Sequence, residues 1–275
     1  MRIANGTAIA WEEVSGHRVG QIEFKRLLNG VEGRKDNYEL SIVRQEGEFH
    51  SPVHRHNFDQ VRLPVSGRSS YAKNLYIHPG EIGYFPEGTF YGPQDINERT
   101  HTLVLQCGGA SGQGFLGYQR LREGYEQLKS RGRFEDGKFY AADGAKPQDS
   151  YEAIWEHMNG RKLEYPAWRF RNPVIMDIAA FGWISAGTGV AHKQLGGFAE
   201  RGVAIELYRL KSGASARLAA KPALRLLYVL HGAVSLDGTE AGAESAAEIG
   251  IGETPALKAS AASEVLILGL PGFEQ

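Results

Sequence analysis

Short runs of strand-forming residues, separated by glycine, dominate this chain. The 35 glycines among its 275 residues stand between runs rich in Tyr, Ile, Val, Leu and Phe, a pattern typical of many short strands joined by tight turns. We therefore expect a mainly β fold. The predicted strands are 38–44, 54–65, 75–77, 83–85 and 102–106 in the first half, and 203–210, 224–230, 233–236 and 264–268 in the second.

Helical periodicity appears only between these two halves. Over 117–131 the apolar residues Leu121, Tyr125 and Leu128 recur at helical spacing. A second helix is predicted over 151–159, with Asp149 or Ser150 as its N-cap. The pattern indicates three parts: an N-terminal β domain (1–110), a helical connector (111–170) and a C-terminal β domain (171–275).

The two halves are also weak copies of each other. Gly47 and Gly67 in the first half are separated almost as Gly213 and Gly232 are in the second, and each second glycine closes a run of strand-forming residues. This spacing favours an internal duplication.

The charge balance and the single cysteine limit the partners and the compartment. Lys plus Arg (31) nearly equal Asp plus Glu (32), so the net field does not favour nucleic acid or an anionic membrane, and a small-molecule ligand fits better. Cys107 has no second cysteine to pair with, which suits a reducing cytoplasm. The first residues lack the basic start and apolar core of a signal peptide, and no stretch approaches the roughly 18 apolar residues of a membrane span. We expect a cytoplasmic protein, and a homodimer from the prevalence of twofold assemblies.

Two histidines carry the first candidate chemistry. His54 and His56 stand at i and i+2, which on a strand places both imidazoles on one face, within reach of a single ion. Gln60 follows four residues after His56, and Gly67 seven residues later. Gly80, Pro86 and Gly88 then follow in the segment GEIGYFPEGTFYGP.

These residues resemble the two conserved motifs of the cupin superfamily. The first cupin motif reads His-x-His, three or four residues, Glu, six residues and Gly; its places are taken here by His54, His56, Gln60 and Gly67. The second reads Gly, five residues, Pro, x, Gly, two residues and His; its places are taken by Gly80, Pro86, Gly88 and Tyr91. The resemblance implies two jelly-roll β-barrels, a bicupin, with a divalent metal (Fe, Mn, Ni or Zn) in the N-terminal barrel.

Two of the four ligand positions depart from the cupin pattern. Gln60 stands where the Glu belongs and brings a carbonyl oxygen without charge; Tyr91 stands where the last His belongs and must at least partly ionise to be a strong ligand. A bound dication would favour that phenolate. His101 or His50 is a further candidate to join the site. The alternative is a metal-free barrel whose histidines hydrogen-bond to a substrate or to each other.

Arg62 and Tyr91 are the candidate catalytic residues. If inward positions alternate along His56, Phe58, Gln60 and Arg62, the guanidinium points into the cavity, where it can grip a carboxylate. The alternative places Arg62 at the barrel rim, paired or solvated.

The second copy lacks ligands. Counting back from Gly232 as from Gly67 puts Ala219, Lys221 and Arg225 at the places of His54, His56 and Gln60. The C-terminal barrel is therefore predicted to be structural, or to bind something other than metal.

The resemblance leaves two functions open. The first is a metal-dependent enzyme of dioxygenase, isomerase or lyase type, acting on a small oxygenated, possibly anionic molecule. The second is a metal-free binding or sensor protein, or a metal-independent isomerase that uses His54, His56 and Tyr91 as hydrogen-bonding or acid–base groups. A transcriptional regulator is disfavoured, because no helix-turn-helix or basic patch accompanies the barrels.

Overall fold

A computed structural model describes residues 1–13 and 19–274 of the chain. The described residues are mainly β-strand, in antiparallel sheets, with α-helices α1 (Tyr118–Leu128) and α2 (Ser150–Asn159) and short 3₁₀ helices at Gly6–Ala8 and Ile178–Ala180. In this part of the chain, no helix has both the length and the apolar character needed to cross a membrane. The mainly β fold predicted from the glycine pattern is confirmed.

The strands are short and follow one another closely. In chain order they are β1 (Arg2–Ala4), β2 (Glu12–Glu13), β3 (Val19–Asn29), β4 (Tyr38–Ser51), β5 (Phe58–Ser66), β6 (Ser69–Ala72), β7 (Leu75–Ile77), β8 (Glu81–Phe85), β9 (Gln94–Ile96), β10 (Thr100–Gly108), β11 (Gly132–Glu135), β12 (Lys138–Ala141), β13 (Gln148–Asp149), β14 (Val174–Asp177), β15 (Ile184–Gly187), β16 (Val190–Phe198), β17 (Val203–Leu210), β18 (Ser215–Arg217), β19 (Arg225–His231), β20 (Ala233–Leu236), β21 (Thr239–Gly242), β22 (Ala246–Ile249), β23 (Ala256–Ala259) and β24 (Ser263–Gly269).

The chain divides into two compact units. The N-terminal unit comprises Trp11–Lys25 and Asn29–Ile175; the C-terminal unit comprises Met1–Ala10, Arg26–Leu28 and Met176–Gln275. The first ten residues thus group with the C-terminal unit, because β1 pairs with β22, and both α-helices group with the N-terminal unit. The domain bounds 1–110, 111–170 and 171–275 stay a prediction.

Both units contain the same five-strand arrangement. In the N-terminal unit the strand order is β8-β5-β10-β4-β3, and in the C-terminal unit it is β22-β19-β24-β17-β16. The neighbouring strands whose register is given all pair antiparallel. This shared order supports the internal duplication that the glycine spacing predicts.

Gly67 and Gly232 mark the same corner in the two copies. Each has positive φ, 67° and 79° respectively, and a Cβ at either position would overlap a backbone oxygen, that of Arg99 or that of Ala262. Only glycine fits such a corner. Two residues before each glycine the strand register skips one residue, a β-bulge at Val65 in one copy and at Leu230 in the other.

The two predicted helices are confirmed with small shifts at their ends. The side chain of Asp149 accepts hydrogen bonds from the backbone N–H groups of Tyr151 and Glu152 and so caps α2, which ends at Gly160 in the left-handed conformation. Buried residues of both helices join one apolar cluster with Phe58 of β5. The helices are therefore packed against the N-terminal sheet as part of its core.

One strand prediction was wrong at its start. The strand predicted over 54–65 begins at Phe58, and His54 makes only an isolated bridge to Tyr91. The backbone of His56 is held separately, because its carbonyl accepts from the Gly88 N–H at 2.8 Å. The two histidines thus lie on a turn-like segment just before β5.

Candidate functional site

A cavity of about 170 Å³ lies within the N-terminal unit. Its lining includes His54, His56, Gln60, Arg62 and Tyr91, together with several residues that the sequence analysis did not single out. The polar lining residues are Glu39, Ser51, His54, His56, Gln60, Arg62, Gln94 and Gln106, and the apolar and aromatic ones are Ile22, Phe24, Phe49, Phe58, Tyr91, Phe115, Leu116, Tyr118, Leu121 and Tyr151. A cavity of this size admits a small molecule only.

His54 is fixed by both its backbone and its ring. Its backbone N–H and C=O exchange 3.0 Å hydrogen bonds with those of Tyr91, so the two predicted motifs are joined directly at these residues. Its Nδ1 lies 2.6 Å from the carbonyl oxygen of Pro52. A carbonyl only accepts, so Nδ1 carries the proton and the lone pair is on Nε2. Histidines that bind metals generally have their second ring nitrogen held in this way.

His56 lies beside His54, with 4.9 Å between the ring centroids, and its ring stacks on Phe58 at 4.3 Å. The Nδ1 of His56 is 3.3 Å from Nε2 of Gln60 and 3.1 Å from the Tyr91 hydroxyl. An amide nitrogen only donates, so this network makes Nδ1 of His56 an acceptor and places its proton on Nε2. The two histidines therefore have opposite tautomers in this network.

Arg62 lies in the cavity wall and not at a solvated rim. It is 8% exposed. Its Nε and Nη2 donate to Oε1 of Gln60 at 3.0 and 2.7 Å, and Nη2 also donates to the Tyr91 hydroxyl at 3.0 Å. The guanidinium also lies over the ring of Phe85 at 4.4 Å. The inward alternation predicted along β5 thus accounts for its position.

This arrangement decides which residues suit a metal ion. The oxygens of Gln60 and Tyr91, the third and fourth ligands implied by the cupin resemblance, both accept hydrogen bonds from Arg62. Within residues 1–13 and 19–274, no group of three or more His, Cys, Asp and Glu side chains is placed to hold a metal. The imidazoles of His54 and His56 remain the candidate ligands, while the oxygens of Gln60 and Tyr91 are hydrogen-bonded to the Arg62 guanidinium.

Glu39 is a cavity residue that the sequence analysis missed. It lies on β4, 7% exposed, and Oε1 accepts from the Ser41 hydroxyl at 3.2 Å. In the strand register Glu39 is opposite Gln106 of β10, which is opposite Gln60 of β5. The signal was the alternation in 38–44: apolar Tyr38, Leu40 and Ile42 take one face, so Glu39 faces the other, which here is the interior.

The two other histidine candidates lie outside this cavity. Nδ1 of His50 pairs with the carboxylate of Asp95 at 2.7 Å, where both side chains are largely exposed. The ring of His101 stacks on Trp11, with 5.6 Å between the centroids. Neither lines the cavity.

A buried acidic network lies on the opposite face of β5. Asp59 accepts from the backbone N–H of Glu87 at 2.8 Å and from the Tyr84 hydroxyl at 3.1 Å. Burial, as the largest cause, raises the pKa of Asp59 to about 7. Glu87 pairs with Arg169 at 2.8 Å and accepts from the backbone N–H of Ser111. This network ties β5 and the turn after β8 to later segments of the same unit.

The corresponding positions of the C-terminal unit are arranged differently. Ala219 and Lys221 are exposed, and Arg225 is buried, with Nη2 donating to the carbonyl oxygen of Glu253 at 2.8 Å. None of the three is a metal ligand in ordinary protein sites.

Comparison with solved structures shows which fold this is. No protein-family model and no curated protein matches the sequence. A candidate dioxygenase from Nostoc punctiforme is 11% identical with a TM-score of 0.64, over 98% of this chain and 82% of its own. Bacterial pirin YhhW from Escherichia coli, solved with nickel(II), is 11% identical with a TM-score of 0.56, over 99% of both chains. Streptomyces albus HEPD, solved with 2-hydroxyethylphosphonate and Fe(II), is 14% identical with a TM-score of 0.58, over 98% of this chain and 76% of its own. The similarity spans both units in each case.

Proposed function

Because the chain has the two-domain cupin fold, we propose that it is an enzyme whose N-terminal cavity acts on a small oxygenated organic anion, with a divalent metal ion held by His54 and His56. Fold alone does not select a function. The proposal therefore depends on the cavity and its side chains, and the metal contents of YhhW and HEPD only add support.

The histidine pair is the observation that carries this proposal. Both rings line the cavity, and the bond from His54 Nδ1 to the Pro52 carbonyl leaves Nε2 of His54 as the basic nitrogen. His56 presents Nε2 as a ligand if its proton moves to Nδ1, where the Tyr91 oxygen can accept it. An ion held there would supply Lewis-acid polarisation of a substrate oxygen.

The remaining cavity residues suit an anionic substrate. Arg62 brings a fixed positive charge, and a guanidinium pairs with a carboxylate through two parallel hydrogen bonds. The Tyr91 hydroxyl lies between Nη2 of Arg62 and Nδ1 of His56, where it can pass a proton to or from the imidazole. We assign Arg62 to substrate binding and Tyr91 to proton transfer.

A second candidate function is a metal-free binding protein or isomerase that uses the same cavity. It is favoured by the hydrogen bonds that Arg62 makes to the oxygens of Gln60 and Tyr91. These bonds give both oxygens a donor without a metal and place the guanidinium next to the position proposed for the ion.

Metal analysis of the full chain, purified without added metal and without a chelating column, separates the two functions. Stoichiometric iron, manganese, nickel or zinc supports the metal-dependent enzyme. An empty protein that also fails to take up any of the four ions at micromolar concentration rejects it in favour of the metal-free function.

The proposed assembly is a homodimer in the cytoplasm, with a small molecule as the main partner. Sedimentation at micromolar concentration tests the dimer, and a strictly monomeric mass rejects it. The compartment stays a prediction from the cysteine count and composition.

A further inference from the structure

We propose, building on the function above, that the ligand of the cavity has two poles: an anionic group bound by Arg62 and a hydroxyl or ammonium group bound by Glu39. Both side chains line the same cavity. The inference names the substrate class of the site and adds Glu39 as a specificity-determining residue.

Arg62 supplies the first pole. Its contacts are with the neutral oxygens of Gln60 and Tyr91 and with the rings of Phe85 and Tyr91, and these hydrogen bonds use Nε and Nη2. Neutral acceptors satisfy its N–H groups but, among the described side chains, supply no counter-ion to its charge, which is costly in a buried site. A ligand carboxylate would supply that counter-ion and use the Nη1 side of the guanidinium.

Glu39 supplies the second pole. Its side chain is 7% exposed, and the hydroxyl of Ser41 donates to one of its oxygens. A carboxylate has about four acceptor positions, so Glu39 can accept further hydrogen bonds from a ligand. Hydroxyl and ammonium groups both donate to carboxylates.

The two side chains lie on the same sheet of the cavity wall, on strands separated by one other strand. Glu39 is on β4 and Arg62 on β5, with β10 between these strands. Neighbouring strands are about 4.8 Å apart, so β4 and β5 are about 10 Å apart at their backbones. The contacts of Arg62 do not include Glu39. A ligand that reaches both must therefore have a short chain between its two polar ends.

The part of the ligand between the poles meets an apolar surface. Phe58, Phe115 and Leu121 line the same cavity, together with the rings of Tyr118 and Tyr151. A small ω-hydroxy or ω-amino carboxylate with a short hydrocarbon middle matches this lining and the cavity volume of about 170 Å³.

Calorimetric titration of the full chain, kept metal-free with chelator, tests the two poles without requiring catalysis. The probes are 4-hydroxybutyrate and 4-aminobutyrate, with butyrate as the one-pole control, and the three- and five-carbon homologues cover the unknown span. Wild-type protein should bind the better two-pole probe at least about tenfold more tightly than the matched one-pole acid, because a hydrogen bond to a buried charge is strong. The probe that binds more tightly, 4-hydroxybutyrate or 4-aminobutyrate, identifies whether the ligand group that donates to Glu39 is a hydroxyl or an ammonium.

Two substitutions, each of which removes one of the two charged groups, test which side chain binds which end of the ligand. Glu39→Gln should reduce the advantage of the two-pole probe to less than about threefold and leave butyrate binding unchanged. Arg62→Met should weaken every carboxylate by about tenfold or more. Glu98→Gln, at an exposed surface glutamate, is the matched control and should change nothing. Circular dichroism verifies the fold, and Glu39→Met, which also removes the carboxylate, replaces Glu39→Gln if that variant does not fold.

Equal binding of two-pole and one-pole probes by wild type, no binding of any probe, or an undiminished advantage in Glu39→Gln overturns the inference. These outcomes are separate from the metal analysis. If the protein contains stoichiometric metal but shows none of the expected probe binding, the proposed function stands and the two-pole ligand is rejected.

Discussion

The two units share a strand order and a bulge but differ in what fills their interiors. In the N-terminal unit the face of β5 that carries Gln60 and Arg62 borders a cavity. In the C-terminal unit the same face of β19 carries Leu227 and Val229, which belong to a continuous apolar core with residues of β17, β20, β23 and β24. The comparison teaches that the same strand order can enclose either a cavity or a filled apolar core.

The interiors of the two units can be compared position by position through the strand register. Gln60 is opposite Gln106, which is opposite Glu39; the matching row in the other unit is Arg225, Gly269 and Ala204. Counted from the corner glycines, Arg62 corresponds to Leu227 and Asp59 to Leu224. At several of these positions the N-terminal unit has a polar or charged side chain where the C-terminal unit has an apolar one, a difference that is common at functional sites.

The largest effect on the free energy of unfolding is expected when each unit receives the residue that the other has at one matching interior position. Leu227→Arg puts a cation into a filled apolar core with no counter-ion and should destabilise the chain by about 5 kcal/mol or more. Its counterpart Arg62→Leu should change the free energy of unfolding by less than about 1.5 kcal/mol, since replacing a buried charge by an apolar side chain is often neutral. Urea denaturation measures both, and equal losses would contradict the comparison.

The next effect is a pH dependence that arises in the N-terminal unit. The pKa of Asp59 in the folded protein, about 7, exceeds its unfolded value of about 3.9. Over this interval the folded state binds more protons than the unfolded state, so stability should fall as the pH rises from about 4 to about 7, by about 4 kcal/mol. Asp59→Asn should remove most of this slope in urea denaturation. Asp95→Asn, at an exposed carboxylate, is the control, and an unaltered slope in Asp59→Asn would reject burial as its cause.

A third prediction concerns metal binding in the two units. Replacing both His54 and His56 by Ala should weaken divalent-metal affinity at least about 100-fold, because they are the two imidazoles among the described residues of the cavity lining. Lys221→Ala, at the position that matches His56 in the C-terminal unit, should leave the affinity unchanged. Competition with a fluorescent chelator measures both. Metal retained by the double variant would remove the N-terminal cavity as the site.

The smallest effects are expected at Tyr91. Tyr91→Phe removes the hydroxyl and keeps the ring contacts with His54 and Phe85, so the free energy of unfolding should change by about 1 kcal/mol or less. Tyr91→His restores the usual cupin ligand and should tighten metal binding about tenfold. Unchanged affinity in the same chelator assay would show that residue 91 is not at the fourth-ligand position.

The secondary structure and the candidate lining could be predicted because both depend on local pattern. Glycine spacing located the strands, and motif spacing selected His54, His56, Gln60 and Tyr91, which the fold brings to one cavity. The extent of β5 could not be predicted, since His54 is held by its bridge to Tyr91, a partner far along the chain.

The hydrogen-bond partners of the side chains also could not be predicted from the motif spacing. A motif count shows that Gln60 and Tyr91 take ligand places, but it does not show that Arg62 donates to both oxygens. Glu39 was missed because a glutamate in a strand is normally read as solvent-facing. Its inward position follows only when its strand is known to have a polar interior on that side.

The helices α1 and α2, predicted as a connector, bear on how long a ligand can stay in the cavity. Tyr118 and Leu121 of α1 and Tyr151 of α2 form part of its wall, so a ligand that fills it is covered by helical side chains. We expect the residence time of such a ligand to depend on how often the helix pair opens locally, a rate that amide hydrogen exchange in α1 reports. Substitutions in these helices should then change how long a complex lasts without altering Arg62 or Glu39.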